Sequence, residues 1–600
     1  MKNPNTLPGQ KGRASGGKDL LKGHDVKYIY RRLWSYISHY KLFFAVAIIL
    51  TAVSSILSIT GTSLAGSAIG AIAKESSEHS VKYYLVLMVI LYTVSAVISY
   101  LLSVLMVKIS QSIVSKMRND VYDKLVRLPV GFYDKKQAGE LVSTISYDIN
   151  TVNESLSSDF IQIINSIVTV VYSFILMLTV SVQLIIVFVV TIPLSIIFTK
   201  LITKIVRPLF RRRSIALGAM NGYIEEMVAG HTVIKAYGRE KEVIALFDKK
   251  NKEATEAYRV AEANGTMAGP SVGFINNLSL SLVNVVGALL YMKGGALSIA
   301  GLSRFVLLSR KFSGPINQIA NIYADIQSAL AAAERVFRLI DEEPEPEDTK
   351  DSKALCVKNG EVRFEHVRFG YDENRIILND LSFVAKPGSV TAIVGPTGAG
   401  KTTVINLLMR FYDINSGRIL IDGVDIRDVT RDSLRRTHTM VLQQTWLFRG
   451  TVRENLAYGR DSVTDEEIVN ACRAAKIHNY IKGLPQGYDT VISEQGGNIS
   501  KGQKQLLTIA RAMLIESSIL ILDEATSNVD SKTERDISDA MVNLMKNKTC
   551  FVIAHRLSTI KNADNILVMK DGDVIEQGNH TSLMSQGGFY SELYCSQFES

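Results

Sequence analysis

Residues 395–403 read Gly-Pro-Thr-Gly-Ala-Gly-Lys-Thr-Thr, and this stretch decides the fold of the second half of the chain. Before it, the apolar residues 389–394 predict a short strand, and after it residues 403–410 predict a helix. The stretch matches the pattern GxxxxGK[ST], in which glycines let backbone N–H groups surround phosphates. In that pattern Lys401 supplies positive charge at the β and γ phosphates, and the Thr402 hydroxyl binds Mg²⁺.

A second motif follows further along the chain. Residues 519–522 are apolar and predict a buried strand that ends in Asp523 and Glu524. An Asp at a strand end beside a phosphate loop typically coordinates Mg²⁺, and the adjoining Glu524 is placed to activate the water that attacks the γ-phosphate. The second half therefore predicts an α/β P-loop NTPase.

The first half has a different composition. Of 600 residues, 47% are hydrophobic, and the apolar excess lies before Pro344. Stretches without Asp or Glu, each about as long as a bilayer span, lie near 42–69, 83–107, 160–180, 182–199, 271–292 and 298–320. They predict an all-α transmembrane domain of six spans with long cytoplasmic helical extensions.

Domain boundaries follow from these changes in composition. Residues 1–25 are basic and rich in Gly and Ser, which predicts a flexible tail. The transmembrane domain is expected at 26–340, a linker at 341–353 and the soluble domain at 354–600. The linker reads DEEPEPEDTKDSK, and its acids and prolines are expected to prevent both helix continuation and packing.

Basic residues predict the orientation of the spans. They cluster before the first span, after the second and after the fourth: Arg31, Arg32, Lys41, Lys108, Lys116, Arg118, Lys200, Lys204, Arg207 and Arg211 to Arg213. The positive-inside rule places these regions, both termini and the soluble domain on the cytoplasmic side of the cell membrane. The long connections at 108–159 and 200–270 predict amphipathic helical legs, whose tips near 132–141 and 236–239 are placed to touch a cytoplasmic domain.

Polar residues within the last two spans are candidates for a substrate cavity. Asn277 and Asn284 lie seven positions apart and share a helical face, and Arg310 and Lys311 lie at membrane depth. Alternatively, the asparagines only tie helices together, the sixth span starts later, or Arg304 reaches outward to the membrane surface.

Charge and cysteine usage exclude some classes of protein. The net charge of +9 suits a nucleic-acid binder as well as a membrane protein with basic cytoplasmic loops, but acid-free spans argue against a soluble ATPase acting on nucleic acid. Four cysteines, without metal-binding spacing, favour a reducing compartment.

The order of motifs resembles the nucleotide-binding domain of ABC transporters. The phosphate loop is followed by Gln443, Ser500-Lys501-Gly502-Gln503, Leu522-Asp523-Glu524 and His555. With the six spans in front, residues 26–600 resemble one half of a type IV exporter, which implies ATP hydrolysis coupled to transport, with ATP and Mg²⁺ as cofactors.

The resemblance also implies roles for single residues. Tyr371 resembles the aromatic residue that stacks on adenine, and Gln443 resembles the glutamine that senses Mg²⁺. Glu524 and His555 are the implied catalytic residues, with His555 contacting the γ-phosphate, and Asp530 ends a loop that crosses the dimer interface. The implied ATP-binding set is Tyr371, Gly395, Pro396, Thr397, Gly398, Ala399, Gly400, Lys401, Thr402, Thr403 and Gln443, and the implied Mg²⁺ ligands are Thr402, Gln443 and Asp523.

Residues 498–504, Asn-Ile-Ser-Lys-Gly-Gln-Lys, depart from the signature of this family, which usually reads Leu-Ser-Gly-Gly-Gln. The resemblance implies that Ser500, Lys501, Gly502 and Gln503 meet the ATP bound by a partner subunit. Lys501 replaces a glycine where close backbone approach is needed, so slowed closure and hydrolysis are expected at that site, more than lost ATP binding.

An intact Glu524 beside an altered signature resembles one subunit of the bacterial heterodimeric multidrug exporters. The partner in that arrangement has lost its Glu and keeps a good signature, so one ATP site is consensus and the other degenerate. The prediction is ATP-driven, alternating-access export of small amphipathic compounds, drugs or lipid-like molecules, across the cytoplasmic membrane by a heterodimer with a homologous half-transporter, without nucleic acid. The alternatives are an importer with an exporter-like fold, or a homodimeric lipid or peptide exporter that carries Lys501 in both sites.

Overall fold

The computed structural model describes residues 26–598, except 74–77, 293–296, 373–374, 444, 461, 494–498, 524–529 and 554–559. The chain divides into two compact units, one of residues 1–127 and 136–342 and the other of residues 128–135 and 343–600. This division differs from the expected domains in two places. The short segment 128–135 belongs to the second unit, and so does nearly all of the linker. The expected tail, 1–25, lies outside the described residues.

The described part of the first unit is helical. Its helices are α1 (Val26–Ser38), α2 (Lys41–Ala73), α3 (Glu78–Arg127), α5 (Ala138–Ser143), α6 (Ile149–Glu154), α7 (Phe160–Val180), α8 (Val182–Ala229), α9 (His231–Tyr237), α10 (Glu240–Thr266), α11 (Ala268–Met292) and α12 (Ile299–Asp341). Two π-helical turns, Thr144–Asp148 and Ser155–Asp159, join α5, α6 and α7. Helices α3, α8 and α10 continue well past the apolar stretches, as expected for helical legs, and the cytoplasmic position of these legs stays a prediction.

Four described helices are long and apolar enough to cross a membrane: Lys41–Ala73, Ser80–Arg127, Ala138–Val180 and Gly273–Met292. They contain the first, second and third expected spans and nearly all of the fifth. The fourth falls in α8, which offers a shorter apolar part, Val182–Thr191. The sixth falls in α12, where Arg304, Arg310 and Lys311 lower the hydropathy. The count of six spans therefore stays a prediction.

Small and hydroxylated residues hold the apolar helices together. A Cβ at Gly66 would lie 2.5 Å from the backbone of Arg304, so α2 and α12 approach more closely than larger side chains allow. Ser54 of α2 bonds to Ser95 and Ser99 of α3, and Ser55 donates to Asn165 of α7 at 2.6 Å. Where the surroundings are apolar, close packing and hydroxyl bonds provide the association that the hydrophobic effect does not.

Acidic residues outside the apolar stretches anchor the ends of these helices. The buried Asp148 accepts two hydrogen bonds from Arg335, at 2.9 and 2.7 Å, which ties the first π-helical turn to α12. Asp341, the last residue of α12, accepts from Arg32 at 2.7 Å and also from Tyr28. Helix α1 is thereby fixed to the end of α12.

The described residues of the second unit form three sheets, with strands β1 (Val362–Phe369), β2 (Leu378–Ala385), β3 (Val390–Val394), β4 (Ser416–Ile421), β5 (Val424–Asp425), β6 (His438–Val441), β7 (Gly450–Thr451), β8 (Val491–Ile492), β9 (Ile519–Asp523), β10 (Thr549–Ile553), β11 (Asn565–Lys570) and β12 (Asp573–Gly578). The orders are β2-β1-β4-β5, β12-β11-β3-β10-β9-β6 and β7-β8. In the six-stranded sheet β11, β3, β10, β9 and β6 run parallel. Their apolar residues are buried on both faces, as is typical of a parallel sheet covered by helices.

The helices of the second unit are α4 (Val130–Lys135), α13 (Lys401–Leu408), α14 (Arg431–Arg436), α15 (Val452–Ala457), α16 (Asp465–Ala474), α17 (His478–Lys482), α18 (Lys501–Met513), α19 (Ser531–Met545), α20 (His580–Gln586) and α21 (Phe589–Phe598). The short α4 comes from the first half of the chain but belongs to this unit.

The expectation of an unpacked linker is wrong. Glu345 accepts from Arg435 of α14 at 3.0 Å, and Asp348 accepts from the backbone N–H of Arg431 at 2.9 Å. Arg431 also donates to the Pro346 carbonyl at 2.7 Å. The acids and prolines that stop α12 thus find cationic partners, and the linker packs through ion pairs instead of apolar contacts.

Candidate functional site

Four parallel strands end at one edge of the six-stranded sheet, and the sequence motifs lie there. The phosphate loop follows β3, residues 554–559 follow β10, Asp523 ends β9, and Gln443 lies two residues after β6. Since β3, β10, β9 and β6 are neighbours in this order, the topology brings the carboxyl ends of these four strands to the same edge. Ligands of α/β sheets bind at the carboxyl ends of the strands.

Glycines give the phosphate loop its shape. Gly398 and Gly400 adopt φ of 87° and 99°, in the left-handed region that side chains disfavour. At Gly395 a Cβ would lie 2.2 Å from the Met569 carbonyl oxygen, so only glycine fits this close approach. The loop is therefore a backbone cradle that leads into the N-terminus of α13, where N–H groups favour an anion.

Lys401 is the first residue of α13 and turns back over this loop. Its Nζ donates to the carbonyls of Gly395 at 2.8 Å and Pro396 at 2.9 Å. Burial lowers the pKa of Lys401, while the charge of Asp523 acts in the opposite direction. An anion in the cradle would restore the preference for the charged amine.

Tyr371 contacts the start of α13. Its hydroxyl lies 3.2 Å from the Thr403 hydroxyl and accepts from Asn406 Nδ2 at 3.2 Å. Phe369 and Tyr412 meet it in edge-to-face contacts, with ring centroids 5.0 and 4.9 Å away. The aromatic ring is thus held beside the phosphate loop and remains 38% exposed.

The structure describes only part of the expected hydrolytic set. Asp523 ends β9 and pairs with Ile553 at the end of β10, whereas Glu524 and His555 lie outside the described residues. The described neighbours of these two residues, Asp523 and Ile553, end their strands at the sheet edge that carries the phosphate loop. Thr402 and Gln443 are exposed at this edge.

The signature segment begins a well-formed helix. Ser500 precedes α18, and its hydroxyl accepts from the Gln503 backbone N–H at 3.3 Å while the Gln503 side chain accepts from the Ser500 N–H at 3.1 Å. This reciprocal pair is a capping box. Lys501 is the first residue of α18 and is exposed, and Gly502 is buried.

Asp530 has a local structural partner. Its carboxylate caps α19 by accepting from the backbone N–H groups of Thr533 at 3.0 Å and Lys532 at 3.2 Å. The bond from Thr533 is the main reason that the pKa of Asp530 lies below its ordinary value. Its expected place in a dimer interface stays a prediction.

A polar cavity of about 260 Å³ lies between α11 and α12 in the first unit. It contains two of the four candidate cavity residues, Asn277 and Arg310. Asn284 instead donates to the Leu280 carbonyl at 2.9 Å, and Lys311 is exposed outside the described lining. The lining residues are Asn276, Asn277, Ser279, Leu280, Ser309, Arg310, Ser313 and Gly314.

Comparison with known proteins gives the same order of domains. Residues 44–316 match the ABC transporter transmembrane region, and residues 378–527 match the ABC transporter domain. An uncharacterized ABC transporter ATP-binding protein of Bacillus subtilis is 41% identical over 98% of this chain and 97% of its own length. The chain belongs to the ABC transporter family.

Two further similarities narrow the type of ABC transporter. A fatty acid ABC transporter ATP-binding/permease protein of Mycobacterium bovis is 43% identical over 86% of this chain and 81% of its own length. The structure of a bacterial Atm1-family ABC exporter with ATP bound superposes with a TM-score of 0.73 at 29% identity, over 96% of this chain and 99% of that one. The chain is an ABC exporter half-transporter that hydrolyses ATP, resides in a lipid bilayer and works as a dimer.

The described residues fit ATP, which this domain binds. The cradle has no room for a Cβ at Gly395, Lys401 reaches across it, and the exposed Thr402 offers an oxygen ligand of the kind that Mg²⁺ prefers. ABC ATPases generally use Mg²⁺.

Sequence reasoning missed two features of this ABC domain. The capping box was readable as the pattern Ser-x-x-Gln at 500–503. Tyr412, between the ATP site and α4, gave no usable signal, because its partner Asp134 lies 278 residues away in the chain.

Proposed function

We propose that this chain is the half of a heterodimeric ABC exporter that keeps the hydrolytic residues, and that it exports amphipathic compounds with an anionic head group. The cavity between α11 and α12, with Arg310 in its wall, is the observation on which the substrate class depends. The altered residue at the start of α18 supports the unlike partner.

At the ATP site each residue has a distinct task. Lys401 binds the β and γ phosphates with the loop N–H groups, and Tyr371 supports adenine. Thr402, Gln443 and Asp523 hold Mg²⁺, which neutralises phosphate charge when bound. Glu524 positions the attacking water, and His555 contacts the γ-phosphate.

Two unlike ATP sites follow from the positions of these residues. In this family each ATP lies between the phosphate loop of one subunit and the signature of the other. The phosphate loop and Glu524 of this chain therefore form the productive site with the partner's signature. Ser500 to Gln503 form the degenerate site, where Lys501 adds a side chain that hinders close approach. Because a homodimer would place Lys501 in both sites, we favour a heterodimer.

Exposed apolar surface in the second unit, the ABC unit, supports the proposal that a partner binds there. Trp446 and Tyr458 are 56% and 64% exposed, and Phe448 stacks on Tyr458 with ring centroids 4.4 Å apart. Clustered exposed aromatic rings are typical of interaction surfaces.

The substrate class follows from the donors of the cavity. The Ser309 and Ser313 hydroxyls donate to carbonyls of their own helix, at 2.7 and 3.0 Å, and Ser279 bonds to Thr191 at 2.9 Å. Arg310 and the side-chain amides of Asn276 and Asn277 therefore have the most N–H groups to donate to a ligand. Since none of the described lining residues is acidic, a carboxylate or phosphate head group fits better than a cation.

The test is export of a fatty acid by the dimer in inside-out vesicles. Arg310→Gln should lower uptake of the fatty acid about tenfold, since a charge-assisted bond is lost, and should leave uptake of the matching fatty alcohol unchanged. Lys311→Gln is the matched control, because it removes a neighbouring charge outside the cavity. Equal losses for both substrates would refute the assignment of the head-group site.

The heterodimer has its own test. Glu524→Gln should stop turnover and trap ATP in the complex. An ATPase activity that survives this change contradicts the assignment of the productive site. If this chain alone gives a fully active transporter, the proposal that it needs an unlike partner is wrong.

A further inference from the structure

A cavity of about 700 Å³ lies within the ABC unit, away from the ATP site. Its wall includes the linker residues 345–348, residues of α14, and Ile515 and Glu516, which come just before β9. His438, the first residue of β6, also lines it. Because β6 and β9 run parallel, the cavity lies at their amino ends, at the edge of the sheet opposite the phosphate loop. Its volume is within the range of about 300–1,000 Å³ that holds small ligands.

Two buried nitrogens in this wall, Arg431 Nε and His438 Nε2, have no hydrogen-bond partner among the described residues. The two residues are only 7% and 5% exposed. A carboxylate oxygen of Glu345 lies 3.7 Å from Arg431 Nε, which is too long for a hydrogen bond. Since buried polar atoms are nearly always hydrogen-bonded, the two nitrogens indicate a partner that these residues do not supply.

The two nitrogens have opposite roles in hydrogen bonding. Arg431 Nε carries a hydrogen and can only donate. His438 Nδ1 donates to the Leu434 carbonyl at 2.8 Å, so the proton is on Nδ1 and Nε2 can only accept. Burial lowers the pKa of His438 to about 4, so the ring stays neutral and Nε2 stays an acceptor at physiological pH. A ligand that satisfies both nitrogens must therefore offer an acceptor and a donor, as hydroxyl groups do.

The charged residues of the wall favour a neutral ligand over an ion, because each of the four lining arginines already has a carboxylate partner. The pairs are Arg431–Asp348, Arg435–Glu345, Arg436–Asp432 and Arg460–Glu467. An ion would have to compete with these pairs, whereas a neutral ligand can bond to their remaining lone pairs and N–H groups. The described lining contains no Phe, Tyr or Trp, so a base that stacks on aromatic rings fits less well than a sugar.

We propose that this cavity binds a neutral polyhydroxyl molecule of the size of a mono- or disaccharide, which accepts from Arg431 and donates to His438. All of the lining residues belong to the ABC unit, so the site needs neither the partner subunit nor the cavity between α11 and α12. A sugar bound there is a ligand of the ABC unit and not the exported substrate.

The test is saturation-transfer NMR of the full transporter in lipid nanodiscs, with glucose, ribose and maltose as the probes. At least one of these sugars should give a saturation-transfer signal. Saturating MgATP should leave that signal unchanged, because the ATP site lies at the opposite edge of the sheet. A phosphate ester of the same sugar should give a signal about threefold weaker, since its charge competes with existing ion pairs and costs more to desolvate.

Two substitutions of His438 separate the loss of the acceptor from damage to the fold. His438→Asn keeps an amide N–H for the Leu434 carbonyl but removes the acceptor at the Nε2 position, so the signal should fall about tenfold. His438→Gln places an amide oxygen near the Nε2 position and should keep most of the signal. His478→Phe, in α17, is the control for loss of an imidazole outside the cavity.

Arg436→Gln gives a test that does not depend on buried residues. The Arg436 side chain lines the cavity and is 77% exposed, so its replacement should leave the fold intact and lower the signal about threefold. Arg418→Gln is the matched control, because Arg418 is also exposed and pairs with a carboxylate, that of Glu365, outside the cavity.

Each other outcome overturns the proposed sugar site at a particular point. If none of the three sugars gives a signal, the cavity holds only water. If MgATP removes the signal, the sugar binds in the nucleotide site. If the phosphate ester gives the stronger signal, the ligand is an anion and not a neutral molecule. If His438→Asn and Arg436→Gln both keep the full signal, the sugar binds elsewhere on the transporter.

Discussion

Two helices of the ABC unit, α13 and α18, both begin with a lysine, and the two lysines differ in almost every other respect. Lys401 follows Gly400 in a left-handed conformation and donates to the carbonyls of its own loop. Lys501 follows Ser500 in an extended conformation, in a helix whose end is already capped, and is exposed. The residues before each helix differ accordingly: a loop with a left-handed glycine lies under Lys401, whereas a capped helix start leaves Lys501 exposed.

The largest effect should separate the two lysines directly. Lys401→Ala is expected to lower ATP hydrolysis by on the order of 100-fold or more, because a charge next to the transferred phosphate is lost. Lys501→Ala, the matched change in α18, should alter hydrolysis by less than about threefold if Lys501 belongs to a degenerate site, as we propose, because such a site contributes little turnover. Phosphate release by the purified complex measures the activity of both variants. Losses of similar size would show that the two lysines do not have different roles in hydrolysis.

Replacing Lys501 by the glycine of the family signature tests the role of this position at the start of α18. If the partner lacks its catalytic Glu, Lys501→Gly should raise steady-state hydrolysis by no more than about twofold, because closer closure cannot create a missing base. If the partner carries that Glu, the gain should be several times larger. Phosphate release in complexes with and without the partner's Glu distinguishes the cases, and a large gain without it contradicts two unlike sites.

The capping box predicts a smaller, structural effect. Ser500→Ala should destabilise the ABC unit by about 1 kcal/mol and lower its thermal midpoint by about 2–4 °C. Thr464→Ala removes an equivalent capping box in α16 and is the matched control. Only Ser500→Ala should also change trapping of ATP at the proposed degenerate site. Differential scanning fluorimetry measures the stability, and equal trapping in both variants would show that the Ser500 hydroxyl contacts no phosphate.

The smallest effect concerns pH and Lys401. Burial lowers its pKa from 10.5, so its charge, and with it the affinity for ATP, should be lost at a lower pH than for an exposed lysine. In the nucleotide-free protein, stability depends on pH with the opposite sign, because burial in the folded state disfavours the charged amine. Stability of the nucleotide-free protein therefore gains a contribution as the pH rises through the lowered pKa towards 10.5. Binding of a fluorescent ATP analogue and thermal midpoints between about pH 8 and 10 check both directions, and Lys401→Met should remove both trends.

The local architecture of the nucleotide site was readable from sequence. The expected strand at 389–394 is β3, the expected helix after the phosphate loop is α13, and Asp523 ends β9. Each signal lies in a short window, where apolar runs, glycines and a following helix determine the conformation.

What sequence reasoning missed depends on contacts between distant residues. The linker was expected to be unpacked, but Glu345 and Asp348 find Arg435 and Arg431 on α14. The cavity needed helices α11 and α12 to be placed against each other, which separates Arg310 from its neighbour Lys311. Composition gives the charge of such residues, and only the fold gives their partners.

Because residues 128–135 complete the ABC unit, the order of synthesis matters for its assembly. The ribosome makes Asp134 long before Tyr412, which follows 278 residues later. In the complete chain the surface around Tyr412 is therefore covered by a segment that has already emerged from the ribosome. A recombinant fragment that starts at the linker would lack this segment and leave its docking surface bare, which gives it a path to aggregation that the complete chain avoids during biogenesis.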